Sequence, residues 1–234
     1  MYVLGARVRA RLILDLLEWR FEDRYEVLGA FDDALPAGTV SEAGLAVLGT
    51  IVDALAYAGA DTAPAAYLLA MGAPSNIRAC AVLDSLTVAG AEIVSLVPED
   101  AFVSDSVSHG HNTVMMPGVF IGQRVTLGDL VFIHGGAVVE HDSRIGRNVM
   151  IGPGATIAGS VVVGDHSFIG AGATIADGAE IGEGCVVGAG SVVVAPIPAD
   201  SVAYGVPARR AREVSAGMYA PTGEEIAAWK AGRA

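Results

Sequence analysis

An aliphatic residue recurs at every sixth position from Ile121 to Val193: Ile121, Leu127, Ile133, Val139, Ile145, Ile151, Ile157, Val163, Ile169, Ile175, Ile181, Val187 and Val193. Two residues before each stands a small or compact residue, such as Val119, Val125, Ala137, Ser143, Ala155, Cys185 and Ser191. A glycine usually follows the aliphatic, as at Gly122, Gly128, Gly146, Gly152, Gly164, Gly170, Gly182 and Gly188. These glycines read as corners that need a backbone freedom a Cβ would restrict. The unit fits neither the 3.6-residue period of an α-helix nor the two-residue period of a flat strand. It predicts an all-β parallel β-helix of hexapeptides, three to a coil, in which residues eighteen apart stack. From about Val103 to Met116 the pattern is imperfect, so an irregular first coil is expected around His109-Gly110-His111.

Upstream, short apolar runs alternate with helical patterns, which predicts a small α/β domain with a parallel sheet over residues 1–98. Strands are expected at Tyr2–Leu4, Glu26–Phe31, Ala66–Met71 and Glu92–Val97. Helices are expected at Ala10–Trp19, Ile51–Tyr57 and up to about Leu86, the last capped by Ser75 or Asn76. Pro98 marks the boundary, the β-helix takes residues 99–210, and a tail over 211–234 carries a short helical pattern at Glu224–Lys230. That tail is placed to cover the open end of the β-helix, whose last coil is otherwise a bare sheet edge.

Composition narrows the class. The 53% hydrophobic content and mean hydropathy of +0.52 come without any run of about 18 apolar residues, so no membrane span is expected. The first residues interleave arginines with hydrophobics and lack the order of a signal peptide, which makes the cytoplasm the expected location. Cys80 and Cys185 are the only cysteines, and both read as buried thiols. A net charge of −12 argues against nucleic acid as a partner, and any anionic ligand must be met by local groups.

Candidate chemistry collects in two places. In open parallel sheets ligands sit beyond the carboxyl ends of the strands, and that edge holds Gly5 to Arg9, Asp32-Asp33 and Gly72. Arg7 and Arg9 at a helix mouth suit a diphosphate, or are solvated surface arginines. Asp32 and Asp33 suit a ribose or base, or are turn residues. Within the repeat, two neighbouring units put polar residues where glycine is usual, Ile133-His134 and Val139-Glu140-His141-Asp142. An imidazole can take a proton near neutral pH, and an adjacent carboxylate can fix its tautomer, so His141 with Asp142 is the candidate acid–base pair. Gly159, eighteen residues on, leaves a notch beside the imidazole. His111 and His166 read as surface residues.

The segments Gly5-Ala6, Phe31-Asp32-Asp33, Ala70-Met71-Gly72 with Ile77-Arg78, Gly136 to Asp142, and Gly205-Val206-Pro207-Ala208-Arg209 make the chain resemble a bacterial sugar acetyltransferase family. Its members join a Rossmann-like N-terminal domain to a left-handed β-helix and act on amino sugars such as bacillosamine and perosamine, or in sialic acid pathways. The resemblance implies acetyl transfer from acetyl-CoA to the amine of a nucleotide-linked amino sugar, with His141 as general base supported by Asp142 and no metal. It implies a homotrimer with active sites between subunits. Acetyl-CoA would lie along the coils at Met150, Gly159, Ala171 and Ala189, and the nucleotide sugar at Gly5, Arg7, Val8, Arg9, Asp32, Asp33, Gly72 and His134. Three positions depart from the family: Arg7-Val8-Arg9 replaces a Gly-rich loop, Met150 stands where some members carry a second histidine, and His134 where Asn is usual. Two other readings compete. One is a zinc-dependent, carbonic-anhydrase-like β-helix drawing on His109, His111, His134, His141 and His166; the other is a non-catalytic trimeric scaffold.

Overall fold

A computed structural model describes residues 1–21, 24–58, 66–71 and 77–215. The expected Ser75/Asn76 cap, Gly72 and the tail helix at Glu224–Lys230 lie outside the described residues.

The N-terminal unit is a five-stranded parallel sheet of β1 (Tyr2–Leu4), β2 (Gly29–Phe31), β3 (Val47–Gly49), β4 (Ala66–Leu69) and β5 (Glu92–Ile93), in the order β3-β2-β1-β4-β5. This is the Rossmann strand order short of its sixth strand, with the strand order reversing beside β1. Helix α1 (Val8–Arg20) buries Ala10, Ile13, Leu16 and Leu17 on one face of the sheet. The helices α2 (Ile51–Ala58) and α3 (Ile77–Val88) cover the other face, packed on Leu4, Phe31, Tyr67 and Leu69. Strand β3 was not expected from the sequence, and the strands predicted at Glu26–Phe31 and Glu92–Val97 join the sheet as strands only over Gly29–Phe31 and Glu92–Ile93, while Leu96 bridges to Val114 instead.

From Phe102 onward two-residue strands wind into a left-handed parallel β-helix with three sheets. Each pairing between the two-residue strands joins residues eighteen apart, as in Phe120↔Val138, Thr126↔Arg144 and Phe132↔Met150, and only past Val193 does the spacing shorten, to sixteen at Ile181↔Ile197 and Val186↔Val202. The expectation of an irregular first coil is corrected. Phe102↔Phe120, Ser108↔Thr126 and Val114↔Phe132 keep the same register, because Val103, Val107 and Met115 still point inward.

Inside, the aliphatics form three columns. Ile121, Val139, Ile157, Ile175 and Val193 make one, fully buried. The small positions face the same interior, and the hydroxyls among them are satisfied by the coil itself: Ser143 Oγ donates to Ala158 O at 3.0 Å and accepts the Val161 N–H at 3.1 Å. A buried hydroxyl without such partners would cost roughly 1–3 kcal/mol.

The glycines after the aliphatics have a different cause from the one read in the sequence. The left-handed backbone falls elsewhere in the turn, at Gly136, Gly154 and Gly172, and also at Arg124, Asp142 and Ser160. Gly128, Gly164 and Gly170 are instead positions of close approach, where a Cβ would come within 2.5–2.7 Å of the backbone nitrogen of the next coil. Steric exclusion between coils, not backbone freedom, selects glycine there.

The coils end in a hairpin of Ser201–Gly205 and Ala208–Glu213. Its first strand adds in parallel to Val186–Val187 and covers the edge of that sheet.

Two contacts lock the units together. Leu96 N–H donates to Thr113 O and Leu96 O accepts from Met115 N–H, while the buried Asn112 amide accepts from Leu69 N–H at 2.7 Å and donates to Leu69 O at 3.1 Å. At the neighbouring corner Arg147 reaches across to Asp84 of α3 at 2.5 Å and to Cys80 O at 3.3 Å. Between these contacts α1 packs on Val114, Met116 and Phe132 of the β-helix.

Candidate active site

The prism has three corners, each a column of turns eighteen residues apart. One column holds Gln123, His141, Gly159 and Asp177, and beside it opens a groove of about 540 Å³. Its wall is made by Phe102, Phe120, Gln123, Arg124 and Glu140 around His141 and Asp142. Phe102 and Phe120 stack in parallel, 4.8 Å between centroids and 9° apart, as their position in adjacent coils dictates.

His141 is held from several sides. Its carbonyl accepts the Ser160 N–H of the next coil. Gly122, one coil earlier, admits its backbone, for a Cβ there would lie 2.9 Å from His141 N. The imidazole Nδ1 donates to Asp142 Oδ2 at 2.9 Å. Asp142 sits at φ 60°, a left-handed conformation that Asp tolerates better than most residues. Arg124 grips the carboxylate with two bonds, Nε to Oδ1 at 2.6 Å and Nη2 to Oδ2 at 2.7 Å. The Arg124 pair first, then the His141 bond, holds the Asp142 carboxyl far below the usual carboxylate range. With Nδ1 occupied, Nε2 meets no hydrogen-bond partner among the described residues. The Gly159 notch lies against this side of the ring, a Cβ there standing 2.8 Å from Nε2.

His134 does not join His141. It stands in the sheet that faces the N-terminal unit, its ring 4.8 Å from that of Phe132. Arg9 lies over the other part of this cluster, with Cζ 5.1 Å from the Phe132 centroid and Nη1 donating to Met71 O at 3.1 Å. Burial pulls the Arg9 guanidinium down to about 10. Burial, and then the positive charge of Arg9, lower the His134 imidazole below its ordinary value.

The remaining candidates fall as follows. Gly5, at φ 92°, packs against the Ala70–Met71 backbone and donates to Phe31 O. Arg7 is the exposed N-cap residue of α1 and Val8, 82% exposed, begins it. Asp32 is buried, and its two oxygens accept the Ala6 and Ala34 N–H groups, each at 2.8 Å. Asp33 accepts the Ile51 N–H at 2.9 Å, capping α2, and pairs with Arg78. Both aspartates therefore already shape the sheet edge. Met150 lies between Phe132 and Phe168, packed toward the N-terminal core, away from the His141 groove. Ala171 and Ala189 are stacked and exposed on another corner than Gly159, so one protomer does not bring these four together.

Both cysteines are buried and free, with burial raising each thiol. His166 is half-buried and accepts from the Asn148 amide at 3.0 Å; His111 is exposed beside Asp129. Among the described residues no three His, Cys, Asp or Glu side chains gather as metal ligands, and no helix among them is long and apolar enough to cross a membrane. Arg124, Phe102 and Phe120 were not singled out from the sequence. The stacking rule points to Arg124, since it stands eighteen residues before Asp142.

The fold and the site together are a hexapeptide β-helix behind a Rossmann-like sheet, with a carboxylate-bound histidine on an open groove. Residues 125–159, 142–177 and 160–195 match the family described as bacterial transferase hexapeptide (six repeats). A comparison with curated protein sequences gives no match. Solved structures agree over both units. PerB of Caulobacter crescentus, in complex with CoA and GDP-perosamine, is 29% identical with a TM-score of 0.79, covering 90% of this chain and 96% of that one. The acetyltransferase domain of PglB from Neisseria gonorrhoeae FA1090, in complex with acetyl coenzyme A, is 27% identical with a TM-score of 0.78, covering 90% and 98%. WeeI from Acinetobacter baumannii AYE is 25% identical with a TM-score of 0.77, over the same shares. The chain thus carries the transferase repeat within the architecture of sugar N-acetyltransferases, and the resemblance read from its sequence is borne out.

Proposed function

We propose that the protein transfers an acetyl group from acetyl-CoA to the amine of a nucleotide-linked amino sugar. The observation that carries this reading is the His141–Asp142 bond at 2.9 Å, which leaves Nε2 unengaged on the groove. His141 acts as general base, taking a proton from the amine as its nitrogen attacks; the Asp142 carboxylate holds the ring and stabilises the imidazolium that forms. Acetyl-CoA would supply the activated acetyl group, which ends on the amine nitrogen as the carbon–sulfur bond breaks, and the proton held by the His141 imidazolium passes to the departing sulfur so that coenzyme A leaves as the thiol. The residues present suit it: Gly159, Ala171 and Ala189 leave the coil backbone bare for a narrow pantetheine arm. Because Gly159 and the two alanines lie on different corners, a coenzyme touching all three lies between copies, which supports a homotrimer.

The nucleotide sugar is assigned to the sheet edge at Gly5, Arg7, Val8, Arg9, Asp32 and Asp33, with His134 beside Arg9. Arg9 supports a diphosphate there, since its half-buried charge faces no carboxylate among the described residues. The neighbours add weight: the GDP-perosamine N-acetyltransferase was solved with CoA and GDP-perosamine in forms where a histidine is replaced by alanine or asparagine.

The test is a panel of UDP-, dTDP- and GDP-linked amino sugars with acetyl-CoA, following release of free CoA. One member is turned over by the native protein, and His141→Ala lowers its kcat by about 10²–10⁴-fold. Full activity of His141→Ala on every accepted substrate would remove the proposed base. No turnover combined with no thermal protection by acetyl-CoA would favour the scaffold reading, since a ligand at a hundred times its Kd adds about 2.7 kcal/mol.

A further inference from the structure

Arg124 is the least explained charged group near the groove. Its side chain is 59% exposed and that of Asp142 39%, and exposed ion pairs contribute only about 0–1 kcal/mol to stability. Yet the geometry is the most constrained of any ion pair at this corner: two short bonds from one guanidinium to both oxygens of one carboxylate. A bidentate pair of this kind fixes the plane of the carboxylate as well as its position. The Arg124 backbone is itself tied down, its N–H donating to Ser106 Oγ at 2.9 Å, one coil earlier. Asp142 N–H in turn donates to Gln123 O at 2.9 Å. Three successive turns of the corner, at Ser106, Arg124 and Asp142, thus form one ladder ending on His141 Nδ1.

We propose that Arg124 is a positioning residue for the acid–base pair: by gripping Asp142 it holds the carboxylate against Nδ1–H, and so keeps Nε2 of His141 deprotonated and aimed at the groove. The inference rests on the proposed role of His141 but acts through a property of the imidazole that can be read without turnover. The exposure of the Asp142 side chain makes the grip necessary. On an exposed turn the carboxylate could otherwise rotate about χ1 and χ2 into water, and the ring would sample both tautomers and other rotamers. Oδ2 is shared between Arg124 Nη2 and His141 Nδ1, so the two donors meet on one oxygen and neither rotates without the other.

The test uses the full chain with histidine labelled in both ring nitrogens, in native form and as Arg124→Gln, Arg124→Lys and Asp142→Asn. The nitrogen shifts of His141 report which nitrogen carries the proton. In the native protein the Nδ1–H form dominates; in Arg124→Gln the signal moves toward a mixture of tautomers. The kcat then falls about ten- to a hundredfold, the range expected for a misplaced catalytic group, with KM for both substrates unchanged. Arg124→Lys, which keeps the charge and loses the fork, restores only part of the rate. The double variant with Asp142→Asn is no worse than Asp142→Asn alone, because Arg124 acts only through that carboxylate. An unchanged tautomer in a folded Arg124→Gln overturns the proposal. So does a raised KM for acetyl-CoA at constant kcat, which would make Arg124 a ligand contact. If the native chain shows no acetyl transfer but the tautomer still shifts, the positioning role stands and the proposed reaction fails.

Discussion

Gly159 and His141 fit each other by one missing carbon: a Cβ on Gly159 would stand 2.6 Å from Cε1 and 2.8 Å from Nε2 of the imidazole, and 2.8 Å from Asp177 Oδ1. Gly159→Ala is therefore expected to push the ring from its place while the backbone, which is not in the left-handed region, accepts alanine. The kcat should drop about a hundredfold, with the thermal midpoint changed by no more than a few degrees. Crystallography of the variant would show the ring rotated; an unmoved ring with native kcat would contradict the fit.

Among the described residues Arg9 meets one hydrogen-bond acceptor and an aromatic face in place of a carboxylate. A partly desolvated charge without a nearby carboxylate is destabilising until an anionic ligand arrives. Arg9→Met is expected to raise stability in the absence of ligand by on the order of 1 kcal/mol, read by urea denaturation. The same change should raise KM for the nucleotide sugar with little effect on KM for acetyl-CoA. A variant that is both less stable and unimpaired in binding would show that Arg9 serves packing alone.

His134 gives the fold a pH dependence of definite sign. Its folded value is lowered, by burial first and then by Arg9, so the unfolded chain takes up the proton first as pH falls. The stability it contributes is complete above about 6.5, the unperturbed value, and is lost as pH falls through the lower folded value. His134→Asn should flatten this acid-side loss, measured as the difference in urea midpoint between about pH 7.5 and pH 5.5. An identical loss in the variant would move the cause to another group.

Ile151 belongs to a fully buried column of the β-helix. Ile151→Ala removes three buried carbons where the coils above and below cannot collapse, and should cost about 2–5 kcal/mol. Circular dichroism during urea unfolding measures it. Because the residue is remote from the groove, kcat at low temperature should stay near native.

What the sequence disclosed follows from how often each pattern repeats. The β-helix was legible because each coil states the same period again, so even the first coil, masked by Ser108 and His109, proved regular. The N-terminal unit states each element once. Strand β3 is three residues long with Leu48 exposed, and its register shifts against β2 between Ala30 and Phe31, so no alternation marks it. Pairing of neighbours was legible too: His141 and Asp142 are adjacent in sequence. Their clamp was not, although Arg124 stands one coil before Asp142. The same arithmetic separates residues that the family resemblance placed together: Gly159 and Ala171 differ by twelve, two hexapeptides, and so stand at different corners. His134 looked like a companion of His141 because their units are adjacent, and adjacency in a three-sided coil means facing different ways.

The eighteen-residue register described above means that the protein keeps two clocks. Its core counts in sixes, since any hexapeptide presents the same two inward positions; its chemistry counts in eighteens, since only a full turn returns a side chain to its own corner. Removing residues 121–126, between the locked first coil and His141, would leave a filled interior while turning every later corner by a third of a revolution. Arg124 would be lost with them, His141 would stack on Pro117 instead of Gln123, and the groove would lose its histidine. Insertions and deletions of whole coils preserve alignment, and those of single hexapeptides preserve only the fold.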